Sequence, residues 1–176
     1  MNTRPESPSE FQRILRERAR RLAQPLQVES PGDTRAFVVA ALSGEHYGFA
    51  VEDVLEVLKE AGLTPLPGTA SFWLGLINLR GRLAPVLDLR AYLGLAPMPS
   101  GQPGRIIIAE QAGLLAGLLV DDVLEVRNVP VSQIGPPLAP VSVGGRQTIA
   151  GLTFDFLAII DLQKLLSDPR LVVQED

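Results

Sequence analysis

The 176-residue chain has no cysteine and a single histidine, His46. The first absence excludes disulfides, thiolate metal centres and cysteine nucleophiles. The second leaves no basis for a structural zinc site or a histidine-rich metal centre. An excess of positive charge is missing too. The formal net charge is −4, the wrong sign for a nucleic-acid binder that works by neutralising phosphates. The longest apolar run, Leu114 to Val120, falls far short of the roughly 20 residues a spanning helix requires. Met-Asn-Thr-Arg-Pro-Glu-Ser-Pro at the start carries no apolar signal-peptide core. The expectation is a soluble cytoplasmic protein with no cofactor, no metal, no nucleic-acid partner and no direct membrane insertion.

What the chain does have is punctuation. Sixteen glycines and 15 prolines separate many short apolar runs, a pattern of all-β barrels or sandwiches rather than helical proteins. The length suits one domain, or two small ones sharing a core.

Residues 1–33 differ from the rest. Ser7-Pro8-Ser9-Glu10 fits a helix start with a capping box. Phe11, Ile14, Leu15, Ala19, Leu22 and Leu26 follow at helical spacing, with Arg13, Arg16, Arg18, Arg20 and Arg21 on the other faces. This predicts an N-terminal amphipathic helix that ends before Pro25, then a linker. Its arginines are either a solvated face or a docking surface for an acidic partner or a membrane.

From Arg35 the runs become strand-like: Arg35 to Leu42, Tyr47 to Val51 and Leu55 to Lys59, then a loop from Glu60 to Gly68. Leu74 to Leu79 and Leu83 to Asp88 read as a hairpin turning at Arg80-Gly81, followed by a short helix from Asp88 to Gly94. A proline-rich linker spans Leu95 to Gly104. The pattern then repeats. At a shift of 69 residues Phe37–Val57 overlies Ile106–Val126 with nine of 21 positions identical, including Val54-Leu55-Glu56-Val57 over Val123-Leu124-Glu125-Val126. Farther on, Gly75-Leu76 matches Gly151-Leu152, and Leu87-Asp88-Leu89 matches Ile160-Asp161-Leu162. Two copies of one strand-rich unit must bury their apolar faces together. The boundaries read as 1–33 for the extension, 35–94 for a first barrel, 105–160 for a second, a closing helix at 161–167 and a tail at 169–176.

Several residues invite chemistry. Asp88 and Asp161 are an acid–base pair or two helix caps, and their equivalence in the repeat favours caps. Glu52-Asp53 and Asp121-Asp122 suit turns better than calcium, because no spaced series of oxygen ligands follows. Glu56 and Glu125 alternate with apolar neighbours and should point out of the sheet. The Gly44/Gly48 and Gly113/Gly117 spacings serve hairpins and close backbone approach. Pro85 cannot donate to a ladder, which predicts an edge strand, and an apolar edge is a protein-binding surface. Beside it Asn78 and Arg80 put polar groups on the tip of an apolar hairpin. The second copy has Thr153-Phe154-Asp155-Phe156 there instead. A group needed only for folding should recur in both copies, so Arg80 is the better candidate for an outside contact.

These motifs resemble CheW-like chemotaxis coupling proteins over Arg35 to Leu166. The resemblance rests on Tyr47-Gly48, Val54-Leu55-Glu56-Val57, Leu66-Pro67, Asn78-Leu79-Arg80-Gly81, Pro85-Val86-Leu87-Asp88-Leu89-Arg90 and Ile159-Ile160-Asp161. It implies a mainly β fold of two SH3-like five-stranded barrels around a shared hydrophobic core. It implies a non-enzymatic adaptor between the cytoplasmic tip of a methyl-accepting chemoreceptor and the regulatory domain of a histidine kinase, recruited to membrane-associated arrays. Val54, Glu56, Gly75 and Arg80 would face the receptor, joined by Asn78 from the residues' own reading. The edge at Pro85 and Val86 would meet the kinase. The arginine-rich extension departs from a minimal coupling protein, which leaves open a CheW-like regulator of another pathway with a different partner on that helix.

Overall fold

A computed structural model describes residues 32–59, 62–99, 101–137 and 146–171. The N-terminal helix and most of the C-terminal tail expected from the sequence lie outside these. Among the described residues no helix is long and apolar enough to cross a membrane.

The local elements follow the sequence closely. In chain order they are β1 (Thr34–Leu42), β2 (Glu45–Ala50), β3 (Val54–Leu58), β4 (Trp73–Leu79), β5 (Arg82–Asp88), α1 (Leu89–Leu93), β6 (Arg105–Gln111), β7 (Leu114–Val120), β8 (Asp122–Pro130), β9 (Ile149–Leu152), β10 (Leu157–Ile160) and α2 (Leu162–Leu166). Three hairpins turn on two residues at positive φ: Ser43-Gly44, Arg80-Gly81 and Ala112-Gly113. Their twist suits the right-handed twist of the flanking strands. Each short helix starts on its repeat-related aspartate. The Asp88 carboxylate accepts from the N–H groups of Arg90 and Ala91, and that of Asp161 accepts from Lys164. These are the caps expected, and no acid–base pair is needed to explain them.

The assembly of the strands differs from the expected contiguous barrels. One five-stranded sheet runs β8-β1-β2-β10-β9, the other β3-β6-β7-β5-β4. The third strand of each copy crosses over: β3 pairs with β6, and β8 pairs with β1. The SH3-like subdomains are therefore each built from both halves of the chain, and the boundaries 35–94 and 105–160 do not describe them. Packing explains the exchange. Phe37, Val39 and Ile159 fill one sheet's interior, and Ile77, Val86 and Ile108 fill the other's. The opposite faces of the same strands (Val38, Phe49, Leu87, Ile107, Leu118) meet with Tyr92 and Leu165 in one shared core. A copy folded alone would leave that second face in water.

Pro85 is also placed differently. β5 is interior, flanked by β4 and β7. Leu76, opposite Pro85, turns both backbone groups to Thr64, so those of Pro85 point toward β7. The pairing with β7 begins only at Val86, and the missing N–H falls where the ladder has not started.

Two polar clusters lock the halves. The Arg90 guanidinium donates through Nε to Asp121 Oδ1 at 2.5 Å, through Nη2 to Asp121 Oδ2, and through Nη1 to the Ala96 carbonyl at 2.8 Å. Ser43 N–H donates to Asp121 Oδ2 at 2.8 Å. One nearly buried ion pair thus joins α1, the β1–β2 turn and the start of β8. In the second cluster the Asp168 carboxylate accepts from Tyr92 Oη at 2.7 Å, Gln147 Nε2 at 3.1 Å and Arg170 Nη2 at 2.7 Å. Burial pushes the Asp168 carboxyl up, but the hydrogen bonds from Arg170 and Tyr92 outweigh it and hold the group well below the usual carboxylate range. Burial first, then the Asp168 contact, pushes the Tyr92 phenol far up.

Arg90→Ala takes the counter-charge from the largely enclosed Asp121, and urea unfolding should show a loss of roughly 3–5 kcal/mol; a loss within experimental error would contradict the lock. For Asp168 the folded group titrates below the unfolded one, so its stabilisation is present at neutral pH and is lost as the medium falls below the ordinary aspartate range. The stability gap between the native protein and Asp168→Asn should therefore narrow as pH drops below about 4. A gap independent of pH would rule the clasp out.

Candidate partner-binding face

Barrel closure builds the place where three of the expected site residues, Glu56, Asn78 and Arg80, meet. After β3 the chain returns so that Thr64 bridges Leu76 of β4, with both backbone bonds at 2.8 Å. The repeat does the same at Gly135 and Leu152. This brings the free edge of β3 beside the β4–β5 tip, and Glu56 Oε1 lies 3.4 Å from Arg80 Nη2. The arginine side chain is 84% exposed, its partner 28%. Arg80 stands at φ 52° in the turn, and the Asn78 side-chain oxygen accepts from Gly81 N–H at 2.8 Å beneath it. Asn78 fixes the turn; Arg80 projects from it. Arg82 is engaged bidentately by Glu110 at 2.8 and 2.9 Å, so Arg80 is the tip cation with donors to spare.

The orientation of β3 reverses one expectation. Leu55 and Val57 point outward, 51% and 39% exposed, while Glu56 is the half-buried residue between them. A bulge lies here: Val54 and Glu56 face consecutive residues Ala109 and Ile108 of β6, leaving Leu55 as the extra residue. On β5, Leu83 opposite Asn78 is 66% exposed. The tip pair therefore sits among exposed Leu55, Val57 and Leu83, three residues that alternation alone did not single out. A concentration of exposed aliphatics beside a positioned arginine has the composition of an interface.

Other expected site residues are elsewhere. Gly75 is buried, and at φ 144° a Cβ would lie 2.3 Å from the Thr64 carbonyl oxygen. Gly151 meets the Gly135 carbonyl oxygen at 2.8 Å in the same way. This glycine is required for closure and presents nothing outward. Val54 is half-buried against the shared core. Val86 is fully buried between β4 and β7, and Pro85 is half-buried on an interior strand. The edge assigned to the kinase through Pro85 and Val86 is not an edge, and Val86 cannot touch a partner.

The CheW-like domain family matches residues 36–170. Protein PilI of Pseudomonas aeruginosa is 29% identical over 84% of this chain and 83% of its own. Protein FrzA of Myxococcus xanthus is 41% identical over 51% of this chain and 56% of its own. Among solved structures, the crystal structure of the scaffolding protein TtCheW from Thermoanaerobacter tengcongensis matches with a TM-score of 0.71 and 35% identity, covering 82% of this chain and all of that one.

Two substitutions separate frame from contact on this face. Gly75→Ala forces a side chain onto the Thr64 carbonyl at a φ that only glycine tolerates, and should cost more than ~2 kcal/mol in chemical denaturation. Arg80→Ala removes an exposed ion pair and should cost less than ~0.5 kcal/mol. Equal losses would mean that Arg80 belongs to the frame.

Proposed function

The chain belongs to the CheW-like domain family of non-catalytic chemotaxis scaffolds, and we propose that its Glu56–Arg80 face receives the cytoplasmic tip of a methyl-accepting chemoreceptor. The observation that carries this is the exposed Arg80 guanidinium on a rigid turn, one donor directed at Glu56 and the rest unused among the described residues. A planar fork can engage a carboxylate or the terminal carbonyls of a receptor helix, as an ammonium does less well. Leu55, Val57 and Leu83 supply the apolar surround. The second partner of this reading is the regulatory domain of a histidine kinase, which the adaptor holds beside the receptor in a cytoplasmic, membrane-associated array. With Val86 buried, no kinase-contact residues are assigned.

A second reading follows from the relatives named PilI and FrzA. In it the same scaffold serves a signalling pathway other than chemotaxis, with residues 1–33 docking the different partner. Co-purification of the full chain and of a form beginning at Asp33 separates the two: receptor and kinase retained by the shorter form support the first reading.

Arg80→Glu should weaken binding of a purified chemoreceptor cytoplasmic fragment by ~30-fold or more, with the circular-dichroism spectrum and melting temperature unchanged. Undiminished binding by folded Arg80→Glu protein would remove the receptor assignment.

A further inference from the structure

The repeat places a second hairpin tip, β9–β10, where the first copy has its Arg80 tip. There Phe154 and Phe156 are 86% and 71% exposed. Solvent-exposed phenylalanines two residues apart are unusual on a surface with no partner. The tip is also held firmly. Thr153, itself buried, accepts from Leu157 N–H at 3.0 Å, and its hydroxyl donates to Asp155. Phe156 N–H donates to the Thr153 carbonyl at 3.1 Å. Asp155 is tied in turn to Arg127 of β8, whose Nε and Nη2 engage Glu125. Leu124 and Val126 on the same edge strand are 49% and 65% exposed.

Phe156 stands at φ 62°. The other three non-glycine residues at positive φ among those described open two-residue hairpin turns. A phenylalanine there is strained, and glycine or asparagine would relieve the strain. Its ring stays mostly in solvent, so burial offsets little of that strain. Backbone strain that displays an aromatic group to solvent makes sense when something binds it.

Charge indicates what that something is. Two carboxylates, Asp155 and Glu125, share the one guanidinium of Arg127, so the aromatic tip carries an excess negative charge. At the first tip Arg80 and Arg82 balance Glu56 and Glu110, so the two ends of the frame differ in charge and select different surfaces. An anionic membrane surface would repel this one. We propose that Phe154 and Phe156, with Leu124 and Val126 beside them, form a second docking site for a folded protein that offers an apolar pocket rimmed by lysine or arginine. A rigid aromatic pair inserting into such a pocket loses little conformational freedom on binding.

The test uses the full chain with p-benzoylphenylalanine at position 154, photo-crosslinked in its native cell, with the crosslinked residues mapped by mass spectrometry. The expected product joins position 154 to one protein, at apolar residues with lysine or arginine adjacent. It should be lost in an Asp155→Lys, Glu125→Lys variant and retained in Arg80→Glu, which keeps this site's fate separate from that of the receptor face. Against the purified crosslinked protein, Phe154→Ala and Phe156→Gly should each bind ~30-fold more weakly. Phe156→Gly should melt at the same temperature as the native chain or higher, since it relieves the strain. Crosslinks only to lipid, to a second copy of the chain or to nothing would overturn the proposal. So would a lower melting temperature for Phe156→Gly, which would make the ring part of the packing, or undiminished affinity.

Discussion

Each copy of the repeat hands its third strand to the other's sheet, and most of the molecule follows from that exchange. β3 and β8 cross between sheets, so the two subdomains cannot separate without breaking both, and the faces between them become a single core. The Arg90–Asp121 pair lies at one crossing, linking α1 to the turn from which β8 departs. The exchange also determines where the edges are. Once β3 and β8 are lent out, each is an outer strand with unpaired backbone, and closure through Thr64 or Gly135 brings that edge beside a hairpin tip. Both candidate docking places are the product of one topological step applied twice.

Duplication keeps the frame constant and frees the tips to differ. Gly75 and Gly151 meet equivalent carbonyls, and Asp88 and Asp161 cap equivalent helices. Glu56 and Glu125 each pair with an arginine next to a tip. What changes is the tip itself, Asn-Leu-Arg-Gly in one copy and Thr-Phe-Asp-Phe in the other. An adaptor needs two or more unlike surfaces held at a fixed spacing, and a two-copy frame with unlike tips provides them without a moving part.

Much of this was legible in the sequence because it is local. Turn residues, caps, the Gly75/Gly151 correspondence and the repeat itself depend on neighbours within a few positions, and those features hold in the structure. Strand exchange was not legible. Val54-Leu55-Glu56-Val57 and Val123-Leu124-Glu125-Val126 pair equally well with either hairpin as far as pattern goes, and only packing decides. The misplacements of Pro85 and Val86 follow from that, since a proline marks a missing hydrogen bond without saying on which side of a strand it falls. The bulge at Leu55 was hidden for a similar reason: the extra residue exists only relative to β6. The exposure of Phe154 and Phe156 was hidden because a Phe-x-Phe pattern reads as core unless the turn that lifts it out is known.

The central claim is that the first tip and the β3 edge act as one receptor-facing surface on a rigid frame. Amide hydrogen exchange on the full chain, with and without a chemoreceptor cytoplasmic fragment, tests it most directly. The account predicts slowed exchange in Val54–Leu58 and in residues 78–82, with β8 and residues 153–157 unchanged. Protection confined to β8 and the second tip, or spread evenly over both sheets, would contradict it.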